Sequence, residues 1–181
     1  FLHDTKIPES STVLFLSRSG KSIEIVKALE KCKAAGTTVI AITNAVDSPL
    51  GKAADVCLFT NVAFDHSISV STYTSIILVG QLLAEVIEKD EVSVSTQSAL
   101  QKCLDEVAWL IPVWQQQLAS GNWLTQVNPY VYFLGRNINL ASAHEGMLLW
   151  QEAAKQPASA LTTGTFRHGP QEIIKNPLSI A

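Results

Sequence analysis

Ser17-Arg18-Ser19-Gly20-Lys21-Ser22 places three hydroxyls, two cations and a glycine within six residues. An apolar run, Thr12–Leu16, precedes it, and an amphipathic stretch begins at Ser22. Such a turn can hold an anion. Hydroxyls donate hydrogen bonds, and the unpaired N–H groups of a first helical turn face the same spot. The helix dipole favours negative charge there, and a glycine permits close backbone approach. The same residues would also serve if Ser19 or Ser22 were only a helix N-cap, and the local pattern leaves both readings open. A nucleotide P-loop is excluded, because the glycine it requires five residues before Gly20-Lys21 is Phe15. A dinucleotide fingerprint is excluded too: Gly135 is followed by Asn137 and Leu140 where further glycines are needed.

A second group of reactive side chains lies late in the chain. Glu145 and Glu152 are seven residues apart, so on a helix they share a face, with Leu148 and Leu149 between them. A carboxylate on such a face is either a solvated or ion-paired edge or a working group, and the bare sequence does not choose. His168 stands in Phe166-Arg167-His168-Gly169-Pro170, a Gly-Pro turn from which a side chain can project. Taken alone, a loop histidine is ordinary surface. His144-Glu145 does not begin a zinc-protease helix, because Leu148 occupies the second histidine position of H-E-x-x-H. No metal site and no cofactor are expected.

The elements that position these groups follow from periodicity. Thr12–Leu16, Thr37–Thr43 and Asp55–Phe59 are short continuous apolar runs, which suit parallel strands buried on both faces. Between the first two, Ile23, Val26, Leu29 and Cys32 recur at helical spacing and Gly36 supplies a stop, completing a βαβ unit. Asp47-Ser48-Pro49 predicts a turn before a short helix. Ser71–Glu88 reads as a long, well-buried helix. Ser93–Gln117 reads as a more polar helix, with Pro112 as a point of kink or break and Gly121-Asn122 as its close. Tyr130–Leu134 predicts a strand, Ser142–Lys155 a helix and Ala158–Leu161 a further strand, so a second βαβ unit follows the connector.

The 181 residues are 47% hydrophobic and 16% charged, enough for one substantial core or two small ones. A net charge of −3 offers no general attraction to nucleic acid or an anionic membrane surface, and neither is expected as a partner. No run is expected to reach the length needed to span a bilayer. Cys32, Cys57 and Cys103 are odd in number and widely spaced, which predicts three buried thiols in a reducing, cytoplasmic setting.

Ser17-Arg18-Ser19-Gly20-Lys21-Ser22 resembles the S-x-S-G-x-[ST] phosphate loop of the sugar-isomerase (SIS) domain family. The following VIAITNAVDSPLGKAADVCLFT resembles that family's next two strands with an N-x-x-x-S-x-L turn between. Ala143-His144-Glu145-Gly146 is similar to the A-x-E-G helix start, and His168-Gly169-Pro170 to the H-G-P loop, of the branch that includes the isomerase half of glucosamine-6-phosphate synthase. The resemblance implies an α/β fold of doubly wound, flavodoxin-like parallel sheets, in two partial SIS domains. These are residues 1–92 and 122–181, joined by a helical connector over 93–121.

It further implies a phosphosugar isomerase acting on a hexose or amino-hexose 6-phosphate, with deamination as a variant; a non-catalytic sugar-phosphate-binding regulatory module is the alternative. Ser17, Arg18, Ser19, Gly20 and Ser22 would take the phosphate, while Ser71 and Glu145 would line the sugar pocket, Glu145 mainly as a structural group. Glu152, expected to be partly buried, would move the proton between C1 and C2, and His168 would open the ring. The chain departs from the family pattern at Leu149 and Tyr73, where lysines are expected. No glutamine-hydrolysing domain is expected with these residues, which read as lacking the family's first and last strands, as a fragment would. Amino transfer is therefore not expected. Apolar surface left by missing strands predicts a homodimer or higher homo-oligomer.

Overall fold

The computed structural model describes residues 6–63, 68–121, 130–175 and 179–180. The chain divides into two compact units, Phe1–Val92 and Ser93–Ala181.

The first unit contains β1 (Thr12–Ser17), α1 (Ile23–Ala34), β2 (Thr38–Thr43), α2 (Pro49–Ala53), β3 (Val56–Phe59) and α3 (Val70–Lys89). Its sheet is parallel with strand order β1-β2-β3. Because every strand points the same way, the connections leaving β1, β2 and β3 all emerge at one edge. The core lies between α1 and the sheet and gathers Phe15, Ala28, Leu29, Cys32, Val39, Ala41 and Leu50.

Only the central strand meets the expectation of burial on both faces. Val39, Ala41, Ile42 and Thr43 of β2 are fully buried, whereas Leu14 and Leu16 of β1 and Val56 and Phe59 of β3 are exposed. Apolar runs record a preference for burial; the flanking strands of this three-stranded sheet have one face without a covering layer.

The expectation of a well-buried helix at Ser71–Glu88 is corrected in the same way. Of α3, only Thr72 and Glu85 are buried. It contacts β2, where Gly80 lies beside Ile42, while Ile77, Val86 and Ile87 remain exposed. At 20 residues, with a mean hydropathy of 1.5 over its most apolar window, α3 is long and apolar enough to cross a membrane by length and composition. This corrects the expectation that no run approaches that length. An apolar cleft of about 370 Å³ lies between Leu58 and Phe59 of β3 and Val79, Leu82 and Val86 of α3. It offers no cation and no hydroxyl to an anion.

The second unit contains α4 (Val94–Ser120), β4 (Val131–Gly135), α5 (Asn139–Ala154), β5 (Ala158–Thr162), α6 (Thr163–Arg167), a 3₁₀ turn (Pro170–Lys175) and β6 (Ser179–Ile180). Its sheet is also parallel, in the order β5-β4-β6. The chain therefore starts at the centre, adds β5 on one side and β6 on the other. That reversal marks the carboxyl end of β4 as the crevice position of an open α/β sheet. β6 is only two residues long and escaped the sequence reading. Helix α4 is capped by Ser93, which accepts from the Thr96 N–H, and continues through Pro112 without a break. Gly121 is its C-cap; Asn122, expected to help close it, lies outside the described residues. Of the three cysteines only Cys32 is buried; Cys57 is half-buried and Cys103 exposed. Cys103 sits on α4, which has no buried residue, so its apolar setting in sequence is not a core setting.

Candidate functional site

The loop after β1 is held from behind. The Arg18 carbonyl accepts from the Asn44 N–H at 3.1 Å and the Thr43 hydroxyl at 3.2 Å. The Gly20 carbonyl accepts from the Leu50 N–H at 3.2 Å. Both acceptors are thus engaged with the end of β2 and the start of α2. Gly20 has φ +58°, and a Cβ there would lie 2.1 Å from Ser48 Oγ. Glycine is required on both counts, handedness and space.

Ser48 caps α2 by accepting from the Gly51 N–H at 3.1 Å. Asn44 ties β2 to the segment after β3: its Oδ1 accepts from Thr60 Oγ1 at 3.0 Å and the Val62 N–H at 2.8 Å, and its Nδ2 donates to the Val62 carbonyl at 2.9 Å. The N-x-x-x-S-x-L stretch, Asn44 to Leu50, is therefore the brace of the loop. Sequence reasoning noticed it only as a resemblance; no local signal shows that these residues reach back to residues 18 and 20.

On the loop's other side the groups are available. Ser22 is the N-cap of α1 by position, yet its side chain makes no capping bond. That removes the simple N-cap reading for Ser22 and leaves its hydroxyl and the first-turn N–H groups to another acceptor. Ser17 Oγ accepts from the Gly20 N–H at 3.0 Å, and Ser19 Oγ makes a long 3.4 Å contact with the Lys21 N–H. Ser19 and Arg18 are exposed. The Arg18 guanidinium donates to the hydroxyl of Ser69, the residue that opens α3. Ser71, one turn position further on, is exposed; its carbonyl accepts from the hydroxyls of Thr74 and Ser75 at 3.0 and 2.8 Å. The structure thus brings Ser17, Arg18, Ser19, Gly20 and Ser22 into one loop and links that loop through Arg18 to the start of α3.

In the second unit, α5 packs on β4 and β5. Gly146 lies against the Phe133 ring, where a Cβ would come within 2.8 Å; Phe133 meets Trp150, and Gln151 donates to the Ala158 carbonyl at 3.0 Å. Glu145, on the same helix, is half-buried. Burial first, and then the charge of Glu152 on the same face, push its carboxyl above the usual carboxylate range. Glu152 is exposed. This corrects the expectation of partial burial: Glu152 lies in the last turn of α5, open to solvent. The half-buried carboxylate is Glu145.

His168 follows the one-turn helix α6, whose start is capped by Thr162 accepting from the Thr165 N–H at 2.9 Å. The His168 N–H donates to the Thr165 carbonyl, and Gly169, at φ +147° with open space around it, turns the chain into Pro170. The imidazole is exposed. The sequence places His168 in a Gly-Pro turn after the Ala158–Leu161 strand; between them the structure adds α6, whose Phe166 is buried against Tyr132. Among the described residues no cluster of three or more His, Cys, Asp or Glu side chains could hold a metal ion.

Residues 1–86 match the family model described as the SIS domain. The chain is 27% identical to the glutamine–fructose-6-phosphate aminotransferase (isomerizing) of Clostridium acetobutylicum over 179 residues, which cover 95% of this chain and 29% of that protein. It is 28% identical to the same-named protein of Corynebacterium efficiens, with 96% and 29% covered. Among solved structures, a glucosamine-6-phosphate deaminase from Thermotoga maritima superposes with a TM-score of 0.80 at 20% identity, covering 98% of this chain and 53% of that one. The C-terminal domain of a glucosamine-fructose-6-phosphate aminotransferase from Francisella tularensis gives 0.78 at 20% identity, with 95% and 51% covered. The chain therefore spans under a third of the curated relatives it matches. The match to the SIS-domain model falls on the first unit, and the parallel α/β architecture is that of the solved structures on which the chain superposes.

Proposed function

We propose that this SIS-domain chain belongs to a phosphosugar isomerase that takes a hexose or amino-hexose 6-phosphate and shifts a proton between C1 and C2, with loss of ammonia as a variant on amino sugars. The observation that carries the reading is the loop after β1: its carbonyls are engaged behind it, while the Ser22 hydroxyl and the first-turn N–H groups of α1 are left to an acceptor. In this reading Ser17, Ser19 and Ser22 donate to the phosphate, Gly20 lets the backbone approach it, and Ser71 meets a sugar hydroxyl. Glu152 accepts the proton from one carbon and returns it to the next, and His168 transfers the proton that opens the ring. Glu145 supports the helix that carries Glu152. The names of the relatives, which act on fructose or glucosamine phosphates, support the substrate class.

The test is solvent-deuterium incorporation at C1 or C2 of fructose 6-phosphate and glucosamine 6-phosphate in D₂O, with ammonia release followed in parallel. Exchange supports the isomerase. Tight binding of both sugars without exchange supports the second reading, a sugar-phosphate-sensing module. That second reading is favoured by the exposure of Glu152 and His168 and by the absence of lysine at Leu149 and Tyr73. Association into a dimer or higher is part of the proposal, motivated by the exposed Leu14, Leu16, Val56 and Phe59; light scattering that gives only monomer would count against it.

A further inference from the structure

The turn after β3 is curled around a single side chain. Asn44 Oδ1 accepts from the Thr60 hydroxyl at 3.0 Å and from the Val62 N–H at 2.8 Å, and its Nδ2 donates to the Val62 carbonyl at 2.9 Å. Asn61, between those two residues, has φ +52°, in the left-handed region that Asn tolerates better than most residues without preferring it. One hydrogen bond would be enough to tether a turn. Three bonds to one half-buried amide, on both sides of a residue held in an unfavourable conformation, fix its shape as well. The same two residues hold the loop after β1. The Asn44 N–H and the Thr43 hydroxyl donate to the Arg18 carbonyl, while the Thr43 carbonyl accepts from the Thr60 N–H. Loop and turn are thus each one hydrogen bond away from Thr43 and Asn44. The loop meets the β3–α3 connection a second time at Ser69, which opens α3 and whose hydroxyl accepts from the Arg18 guanidinium.

We propose that Asn44 is a positioning residue for the ligand site: its side-chain amide sets the turn Thr60–Val62 against the loop after β1, so that a ligand anchored there by its phosphate meets a wall already in place. The inference rests on the phosphate-loop reading above and concerns the part of the ligand beyond the phosphate. The work divides within one residue. The backbone N–H of Asn44 serves the loop, and its side chain serves the turn. Removing the amide therefore loosens the turn and leaves the loop's own fastenings, from the Thr43 hydroxyl and the Asn44 and Leu50 N–H groups, intact. Loop and turn both leave the carboxyl edge of a parallel sheet, the edge at which open α/β sheets bind ligands. A preset wall lowers the ordering cost of binding a sugar and does nothing for a bare anion. Aspartate would not replace Asn44, since a carboxylate has no donor for the Val62 carbonyl.

The experiment compares inorganic phosphate with glucosamine 6-phosphate and fructose 6-phosphate by calorimetry, on the whole chain as wild type, Asn44→Ala, Thr60→Val and the double variant. Wild type is expected to bind at least one sugar phosphate more tightly than inorganic phosphate. Asn44→Ala should leave the affinity for inorganic phosphate unchanged and weaken that sugar phosphate by roughly tenfold, the size of one hydrogen bond's contribution. Thr60→Val, which deletes one of the three bonds, should give a smaller loss in the same direction. The two losses should not add in the double variant, since both act through one turn. Hydrogen exchange at the Val62 amide should quicken in Asn44→Ala without a change in the protection of β2. Inorganic phosphate and sugar phosphate weakened alike, with thermal melts near wild type, would overturn the proposal, because Asn44 would then serve only the loop. Unchanged sugar-phosphate affinity in Asn44→Ala would overturn it as well, as would additive losses, or a wild type that binds inorganic phosphate as tightly as the sugar phosphates. If Asn44→Ala does not fold, Thr60→Val decides alone: a loss confined to the sugar phosphates supports the proposal, and no loss overturns it. A wild type that binds neither kind of phosphate is a separate result, which removes the loop reading itself and this inference with it.

Discussion

The two units carry their reactive groups in opposite ways. In the first, the loop from Ser17 to Ser22 is fastened by bonds from Thr43, Asn44 and Leu50 and backed by Ser48 against Gly20, so the Arg18 and Gly20 backbone cannot move without breaking a bond at the end of β2 or the start of α2. In the second, Glu152 is exposed in the last turn of α5 and His168 at the C-cap of the one-turn helix α6, and the buried Trp150 Nε1 has no hydrogen-bond partner among the described residues. Binding an anion requires donors held in place before the ligand arrives, which a unit can arrange alone. Proton transfer requires in addition that water be excluded and carboxyl groups be tuned. In the second unit that tuning is visible at Glu145, one helical repeat away from the proposed base.

The largest expected effect tests the second unit. Glu152→Gln keeps shape and hydrogen bonding but cannot take a proton. Turnover should drop by a factor on the order of 100 to 10,000, with sugar-phosphate affinity unchanged. Steady-state kinetics beside calorimetry decides it, and a Gln variant with undiminished turnover would remove Glu152 from the chemistry. His168→Ala should slow a cyclic sugar phosphate more than an open-chain analogue.

Next in size is a paired glycine comparison. Gly20→Ala faces a left-handed backbone, worth about 1–2 kcal/mol, and a clash with Ser48 besides. Gly169→Ala faces an unfavourable φ in open space. Thermal melts should show the greater loss for Gly20→Ala, together with loss of phosphate binding. Equal losses would mean the loop is less tightly braced than its bonds imply. Ser19→Ala, an exposed hydroxyl, should weaken sugar-phosphate binding by roughly tenfold without altering the melting temperature.

The smallest effects are titrations, and they have opposite signs in the two units. In the first, the Asp55 carboxylate accepts from the Val39 N–H at 2.7 Å and from Lys33 at 2.9 Å; the backbone bond first, then the lysine, hold it below its ordinary value of 3.8. Its folded form binds fewer protons than the unfolded chain. It therefore contributes stability above about pH 4, lost as the pH falls through the folded value, and Asp55→Asn should flatten that acid limb in urea titrations. In the second unit, Glu145 is raised, so the folded form binds more protons. Its ionisation costs stability at neutral pH, and the cost is relieved as the pH falls through the raised value. Glu145→Gln should remove that trend. Glu152→Gln should move the Glu145 carboxyl resonance midpoint down only in part, because burial is the larger cause.

Much of the architecture was legible from periodicity. Ile23, Val26, Leu29 and Cys32 gave α1, and the apolar runs gave β1 to β5, because local pattern and backbone preference agree there. Exposure was not legible. Leu14 and Leu16 look as buried in sequence as Val39 and Ile42, and only strand order separates a flank from a centre. The candidate anion loop could be proposed from the sequence because its hydroxyls are contiguous. Its brace could not, because Thr43, Asn44, Ser48 and Leu50 act across the fold. Glu145 and Glu152 share a helix face, yet one is half-buried and the other exposed, a difference that heptad spacing cannot show.

The brace also sets an order of events in folding. The parallel pair β1–β2 matches Thr12 with Thr38 across the α1 crossover, a non-local contact. The Arg18 and Gly20 carbonyls find their partners only once β2 and the Ser48 turn are in place. The donor set for an anion is therefore completed late, after the slowest non-local contacts of the first unit. A sugar phosphate held there as proposed would add about 2.7 kcal/mol to the folded state at about a hundred times its dissociation constant, and should protect the loop, β2 and α2 from hydrogen exchange together.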